Sequence, residues 1–393
     1  MAPKQPERTE LELDPKYDHY DFPTVSVEAR EGHPGYLTPA QQAQVHQLRM
    51  TLESEGFDGP LDTLTLLRFL RARKFDVNAA KNMLVESQKW RSAMTIVEQE
   101  GPESGKPRLL SLKDDPMNNP PDEPLKLNDA VRTWDKDGTF KRGLAQYYPQ
   151  FYHKTDKDGR LLYFEKLGGI DFGGLKKNAK ATNDRMIYNL AVEYEKMVDP
   201  RLPACSRQAG HLVETSCSIL DFAGVSLLSP GAIYNYIKQA SAMSGNNYPE
   251  RMGKMYVINV HWSQQWIFSI IKGFLDPVTA AKIDHLGKNY LPELLKQVPA
   301  ENLPASYGGK CQCPGGCELS DAGPWQEEEW RRPAWWEKDP AETTIENKPT
   351  EIEAGNGVPI AAETQVEGQP TEAEGAGATN TEVPVTEEAK VPA

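Results

Sequence analysis

Three cysteines fall within the seven-residue run CQCPGGC, at 311, 313 and 317, and thiols at that spacing are the chemistry of a soft metal ion. Zinc takes four ligands, however. No histidine or further cysteine lies near them in the chain, so no metal is expected there. The segment HLVETSCSILDFAG raises a different possibility. Read as a strand over 211–222, it places Leu212, Glu214, Ser216, Ser218 and Leu220 on one face. That face either meets solvent or, in a sheet covered on both sides, offers hydroxyls and space to a ligand. The run RFLRARK, 68–74, is basic and helical, suited to solvent, to an internal carboxylate or to an anionic headgroup. No nucleic-acid motif accompanies it, so nucleic acid is not expected as a partner. DPVTAAKI, 276–283, starts a helix with Pro277 where proline is favoured and sets Thr279 and Lys282 on one face. A hydroxyl and an ammonium near a helix N-terminus suit a phosphate.

Covalent chemistry has little to work with. GGIDFGG matches neither a phosphate loop nor a dinucleotide fingerprint, G-x-S-x-G is absent, and the seven histidines show no paired spacing. TDKDG lacks the later ligands of a calcium loop and reads as a turn. Neither an enzyme nor a cofactor is expected.

The elements that would position these residues fall into blocks. Residues 1–37 are Pro- and charge-rich and read as a loosely ordered extension. TPAQQAQVHQLRMTLES, DTLTLLRFLRARKF and DVNAAKNMLVESQKWR carry helical spacing and make 38–97 a small helical domain. Residues 98–143, with Pro and Gly clusters and many charges, read as a surface insertion. Strands and helices then alternate over 144–310, beginning with a hairpin around Asp158-Gly159. That alternation predicts an α/β sheet with crossover connections. A Cys- and Trp-rich segment occupies 311–340. Its Trp325, Trp330, Trp335 and Trp336 would suit a membrane interface, but Glu327, Glu328 and Glu329 would be repelled by an anionic one. Packing on the protein's own surface is expected.

The net charge of −13 is unevenly spread. Residues 341–393 hold eleven Glu against two Lys, with no Leu and no aromatic residue, a composition that predicts a disordered acidic tail. The opening MAPKQPERTE has no apolar signal core, and no apolar run reaches the length of a membrane span. Mean hydropathy is −0.62, and the five cysteines fit reduced thiols in the cytoplasm.

One stretch departs from this character. In QQWIFSIIKGFLDP, 264–277, the residues Trp266, Ile267, Phe268, Ile270, Ile271, Phe274 and Leu275 cover an arc of about 200° at 100° per residue. A helix lying on a core needs a stripe of only about 100°. Something other than the core must cover the remainder.

Taken together, LLRFLRARKFDV, YYPQFYHKTDKDGR, RLPACSRQAGHLVETSCSILD, NNYPERMGKMYVIN, FLDPVTAAKI and LLKQVPAENLPASYGGK resemble the CRAL-TRIO lipid-binding family, in order, from about 38 to 325. The resemblance implies an α/β fold: an N-terminal helical bundle, then a mixed α/β domain with a hydrophobic pocket closed by a gating helix. The 266–275 arc would be that gate, one flank facing acyl chains. Carried over by motif, phosphatidylinositol would be bound by Arg73, Glu250, Thr279 and Lys282. Phosphatidylcholine would be bound by Tyr152, Tyr163, Tyr194, Ser216 and Ser218. The implied function is exchange of phosphatidylinositol and phosphatidylcholine between membranes, supporting phosphoinositide synthesis and Golgi secretory traffic. The protein would be a cytoplasmic monomer, peripheral at Golgi and endosomal membranes, with phospholipid as its ligand. An alternative is a lipid-sensing regulator that presents lipid to a phosphoinositide kinase. The chain departs from the family pattern at Asp284 and His285, where apolar residues are usual.

Overall fold

A computed structural model describes residues 6–93, 97–99, 107–109, 127–135, 138–177, 183–225, 230–261 and 280–337. The expected gate, Thr279 and the acidic tail lie outside the described residues.

Helix α1 (Pro39–Ser54) starts as its sequence predicts: the Thr38 hydroxyl accepts from Gln41 N, and the Gln41 side chain accepts from Thr38 N. This reciprocal cap satisfies two backbone donors that would otherwise have no partner. Helix α2 (Thr63–Ala72) is capped by Asp62, which accepts from Thr65 N at 2.9 Å. With α3 (Val77–Ala93) they enclose a core that includes Leu48, Leu52, Leu66, Leu67, Leu70 and Leu84.

Residues 6–37 are not loose. They form no helix, yet Leu11 and Leu37 enter the helical core. Asp18 accepts from Thr63 N at 2.6 Å, and Tyr20 donates to Asp62 at 2.7 Å. Their apolar residues follow no period because they dock singly onto the helices.

The stretch 98–143, expected as a surface insertion, is in part core. Strands β1 (Val97–Gln99) and β2 (Pro107–Leu109) pair antiparallel. After them α4 (Leu127–Thr133), the turn residue Trp134 and α5 (Thr139–Tyr147) deliver Leu127, Ala130, Trp134, Phe140 and Leu144 to the main core. Leu127, Ala130, Val131 and Trp134 recur at helical spacing, a signal hidden by the proline-rich text before them.

The sheet comprises β3 (Gln150–Thr155), β4 (Leu161–Lys166), β5 (Ser216–Asp221), β6 (Met252–Ile258) and β7 (Ile283–His285), adjacent in that order. The β3–β4 pair is antiparallel and the rest are parallel. Between β4 and β5 lie α6 (Phe172–Lys177), α7 (Asn183–Lys196) and α8 (Leu202–Ala209); α9 (Pro230–Asn247) links β5 to β6. Helix α10 (Leu291–Gln297) and a short α11 (Cys317–Ser320) follow β7. One sheet face packs Phe164, Ile219 and Tyr256 against Leu294, Val298 and Tyr307. The other meets α7 and α9 through Val257, Ile283, Tyr188 and Tyr236. Among the described residues no helix is long and apolar enough to cross a membrane.

Two sequence boundaries move. The strand read over 211–222 pairs in the sheet only over Ser216–Asp221. Before it, Leu212 N donates to Val25 O and Val213 N to Ser206 Oγ, so those backbone groups are satisfied outside the sheet. The stretch after Ala281 does not continue as helix: Lys282 sits in a turn and β7 begins at Ile283. Asp284 points to the face of Tyr256 and bonds Lys254 at 2.6 Å, which accounts for a charge in an otherwise apolar family position.

Candidate functional site

Helix α2 buries one flank, and that flank carries Arg68 and Arg71 one turn apart. Both guanidiniums turn to Glu214, Arg71 at 2.9 Å and Arg68 at 3.9 Å, while Arg251 donates to the Glu214 carbonyl at 3.0 Å. Burial pushes the Glu214 carboxyl up, but Arg71, Arg68 and Arg251 outweigh it and hold it below its usual range. One carboxylate faces three guanidiniums. Arg71 Nε and Nη1 are buried with no hydrogen-bond partner among the described residues. Unsatisfied donors of this kind are costly unless a ligand completes them.

Arg71 lines a cleft shared by Glu28, His33, Arg160, Thr215, Glu250 and Lys282. The cation Arg160 is matched by Asp156, Asp158 and Glu28. Lys282 donates to Met252 O at 2.9 Å and lies 3.9 Å from Glu250, leaving donors to spare on a half-buried ammonium. Burial and Arg71 push His33 down to about 4, so it is neutral at physiological pH. The cleft therefore combines spare donors on Arg71 and Lys282 with the carboxylate of Glu250. That arrangement suits a phosphate carrying hydroxyls.

Of the four residues assigned to the inositol lipid, Glu250 and Lys282 are brought together here. Arg73 is not in the cleft: α2 ends at Ala72, and the exposed Arg73 bonds its neighbour's carbonyl at 3.0 Å. Thr279 lies outside the described residues. Arg71, which does line the cleft, is not among the four expected residues, although its spacing from Arg68 on the apolar flank is a readable signal.

Of the residues expected at the choline lipid, Tyr152, Tyr163, Ser216 and Ser218 lie on the sheet face toward α7, and Tyr194 lies on α7 itself. Register aligns Tyr152, Tyr163, Ser218, Met255 and Ile283 in one cross-strand row. The Tyr152 and Tyr163 rings are 5.0 Å apart and border a cavity with Gln150, Asn189 and Glu193. Tyr163 donates to Gln150 at 3.0 Å. Arg201 lies 4.4 Å from the Tyr152 ring and bonds Glu193 at 3.2 Å. Burial opposes the charge on Glu193, but Lys141, Arg201 and Lys196 hold its carboxyl at about 2. Tyr194 packs with Tyr163 in the same apolar cluster. Ser216 and Ser218 are 8% and 7% exposed, which decides for the covered-face alternative. Ser216 Oγ donates to Arg251 O at 3.3 Å, toward the basic cleft.

Glu165 shares the face of Tyr163, two residues away. Tyr148 donates to it, and burial outweighs that bond to push its carboxyl up to about 7. The thiols at 311, 313 and 317 are not without a fourth ligand either: folding brings His153 of β3 to them.

Comparison with known proteins follows this geometry. Residues 41–86 match the family described as CRAL/TRIO, N-terminal domain, and residues 145–309 match the CRAL/TRIO domain. The Sec14 cytosolic factor of Schizosaccharomyces pombe is 46% identical over 310 residues, covering 79% of this chain and 96% of that protein. The SEC14 cytosolic factor of Candida glabrata is 45% identical over 305 residues, covering 77% and 89%. The phosphatidylinositol/phosphatidylcholine transfer protein SFH12 of Arabidopsis thaliana is 34% identical over 270 residues, covering 67% of this chain and 43% of that one. A solved structure titled "Crystal structure of Sfh5" aligns at a TM-score of 0.42 and 14% identity, covering 68% and 88%.

Proposed function

The chain belongs to the CRAL-TRIO family of lipid-binding proteins, and from that premise we propose that it exchanges phosphatidylinositol and phosphatidylcholine between membranes. It performs no covalent step; its exchange supplies phosphatidylinositol for phosphoinositide synthesis at Golgi-type membranes. The observation that carries this reading is the cleft of Arg71, Glu250 and Lys282, with two buried guanidinium donors unspent.

Charge explains how one protein would distinguish two lipids. An inositol phospholipid keeps the negative charge of its phosphodiester, whereas the choline lipid balances it with its own ammonium. Arg71 and Lys282 reward only the first. Glu250 accepts from inositol hydroxyls. The choline ammonium instead finds the Tyr163 ring at the same cavity, a cation–π setting worth about 0.5–2 kcal/mol, while the Tyr152 ring and Glu193 hold Arg201. Acyl chains need an apolar enclosure worth about 0.8 kcal/mol per methylene, and the apolar composition of 266–275 fits a contribution to it.

The test is competition in mixed vesicles, followed by quantifying both lipids on the recovered protein. A charge-assisted bond to a buried phosphate contributes about 1.5–3 kcal/mol. Lys282→Ala is therefore expected to reduce inositol-lipid loading about ten- to a hundredfold while choline-lipid loading stays near wild type. An unchanged ratio of the two lipids would rule out the cleft as the headgroup site.

A further inference from the structure

We propose that Cys311, Cys313, Cys317 and His153 hold one zinc ion that fastens the C-terminal segment to the edge of the sheet. Their four ligand atoms all lie within 4.8 Å of one another. Cys311 Sγ is 3.8 Å from Cys313 Sγ and 3.3 Å from His153 Nε2. A tetrahedral ion with zinc–sulfur bonds of about 2.3 Å separates its sulfurs by about 3.8 Å. The set is already close to the size of one coordination sphere.

The surroundings prepare the histidine for this role. With its proton on Cys317 O at 3.0 Å, Ser320 Oγ accepts toward His153 Nδ1, 3.2 Å away. Nδ1 therefore carries the ring proton, and Nε2 turns its lone pair to the thiols. A hydrogen bond on the distal ring nitrogen is the usual outer support of a zinc-bound histidine. His153 is 0% exposed, Cys311 and Cys317 are buried, and Cys313 is half-buried, which is the enclosure of a structural site.

The backbone presents the thiols without help from a metal. Cys311 N donates to Leu303 O, anchoring the first ligand. Gly315 and Gly316 then take φ of +75° and +95°, turning the chain so that Cys317 opens α11 over β3. Three thiolates and an imidazole form a soft set that selects zinc among the common divalent ions. Binding would displace three thiol protons to solvent and leave the coordinated unit with one net negative charge. The clip would secure strand β3, which carries Tyr152 next to His153. Lys154 N donates to Ala322 O at 2.6 Å, and Trp325 packs in one cluster with Tyr152 along the same seam.

The full chain, expressed with zinc and purified without chelator, is examined by native mass spectrometry and elemental analysis. One zinc per chain is expected. Cobalt exchanged for it should give the thiolate charge-transfer bands and intense visible bands of a tetrahedral sulfur-rich site. Cys313→Ser, at the least buried ligand, should lose the ion with its far-ultraviolet circular dichroism intact. Ser320→Ala should weaken metal affinity about 10- to 100-fold. Cys205→Ala, at a buried thiol outside the cluster, should keep one zinc. A native mass without zinc after reduction and zinc addition would overturn the proposal. So would a chain lighter by a pair of hydrogens that takes up no ion, since the thiols would then form a disulfide.

Discussion

Glu165 illustrates how much one buried group can bias. Its carboxyl stands at about 7 against a usual 4.5, with Tyr148 donating to it and Tyr163 and Tyr236 close enough to feel its charge. Between those two values the folded chain keeps a proton that the unfolded chain has released. Stability from this group is therefore full below about pH 4.5 and is lost as pH rises toward 7. Glu165→Gln keeps an acceptor for Tyr148 and has nothing to titrate. It should match wild type in acid and exceed it above pH 7 by on the order of 3 kcal/mol. Melting curves against pH test this, and parallel profiles for the two proteins would refute it. A second residue prediction concerns Ser218, which stands between Tyr163 and Met255 in the cross-strand row. Ser218→Leu fills that place with apolar bulk. Choline-lipid transfer should fall roughly tenfold, about the loss of one hydrogen bond, while inositol-lipid transfer persists. Equal losses in both transfers would detach Ser218 from the choline site.

Buried ion pairs link several elements across the apolar cores. Arg68 and Arg71 of α2 meet Glu214 just before β5, and Arg91 of α3 meets Glu195 of α7 at 2.5 Å, with Tyr248 donating to the same carboxylate. Breaking a buried pair from one side is worse than never having built it, because the remaining charge stays desolvated. Glu214→Ala would leave Arg68, Arg71 and Arg251 facing one another. A loss of about 3–5 kcal/mol is expected in urea denaturation. A loss under about 1 kcal/mol would mean that water reaches the cluster. At this scale the caps at Thr38 and Asp62 and the Asp158-Gly159 hairpin were legible, since each is a local arrangement of a few consecutive residues. Lys282 in a turn was not. Two polar residues one turn apart look the same whether the helix continues or stops, and β6 decided that it stops.

For the whole molecule, the charge total of −13 says little about what is bound. Most of it lies in residues 341–393, whose lack of Leu and aromatic residues leaves them little to contribute to a core. Deleting 341–393 should change the melting temperature by less than about 2 °C and leave lipid transfer intact. A drop of several degrees would show that the segment docks.

What the sequence determined by itself was whatever depends on near neighbours and on long matched motifs. These include the helices of 38–93, the α/β alternation, the family, and the polar alternation of Ser216 and Ser218. Tertiary structure alone decided which groups meet. It put Arg71 rather than Arg73 into the cleft, because the end of α2 fixes which guanidinium faces inward. It buried Leu127 and Trp134 in a region that reads as charged surface. It set His153 against Cys311 across 158 residues of chain. A contact of that span leaves no mark on local spacing, because chain folding sets it and not the period of any helix or strand.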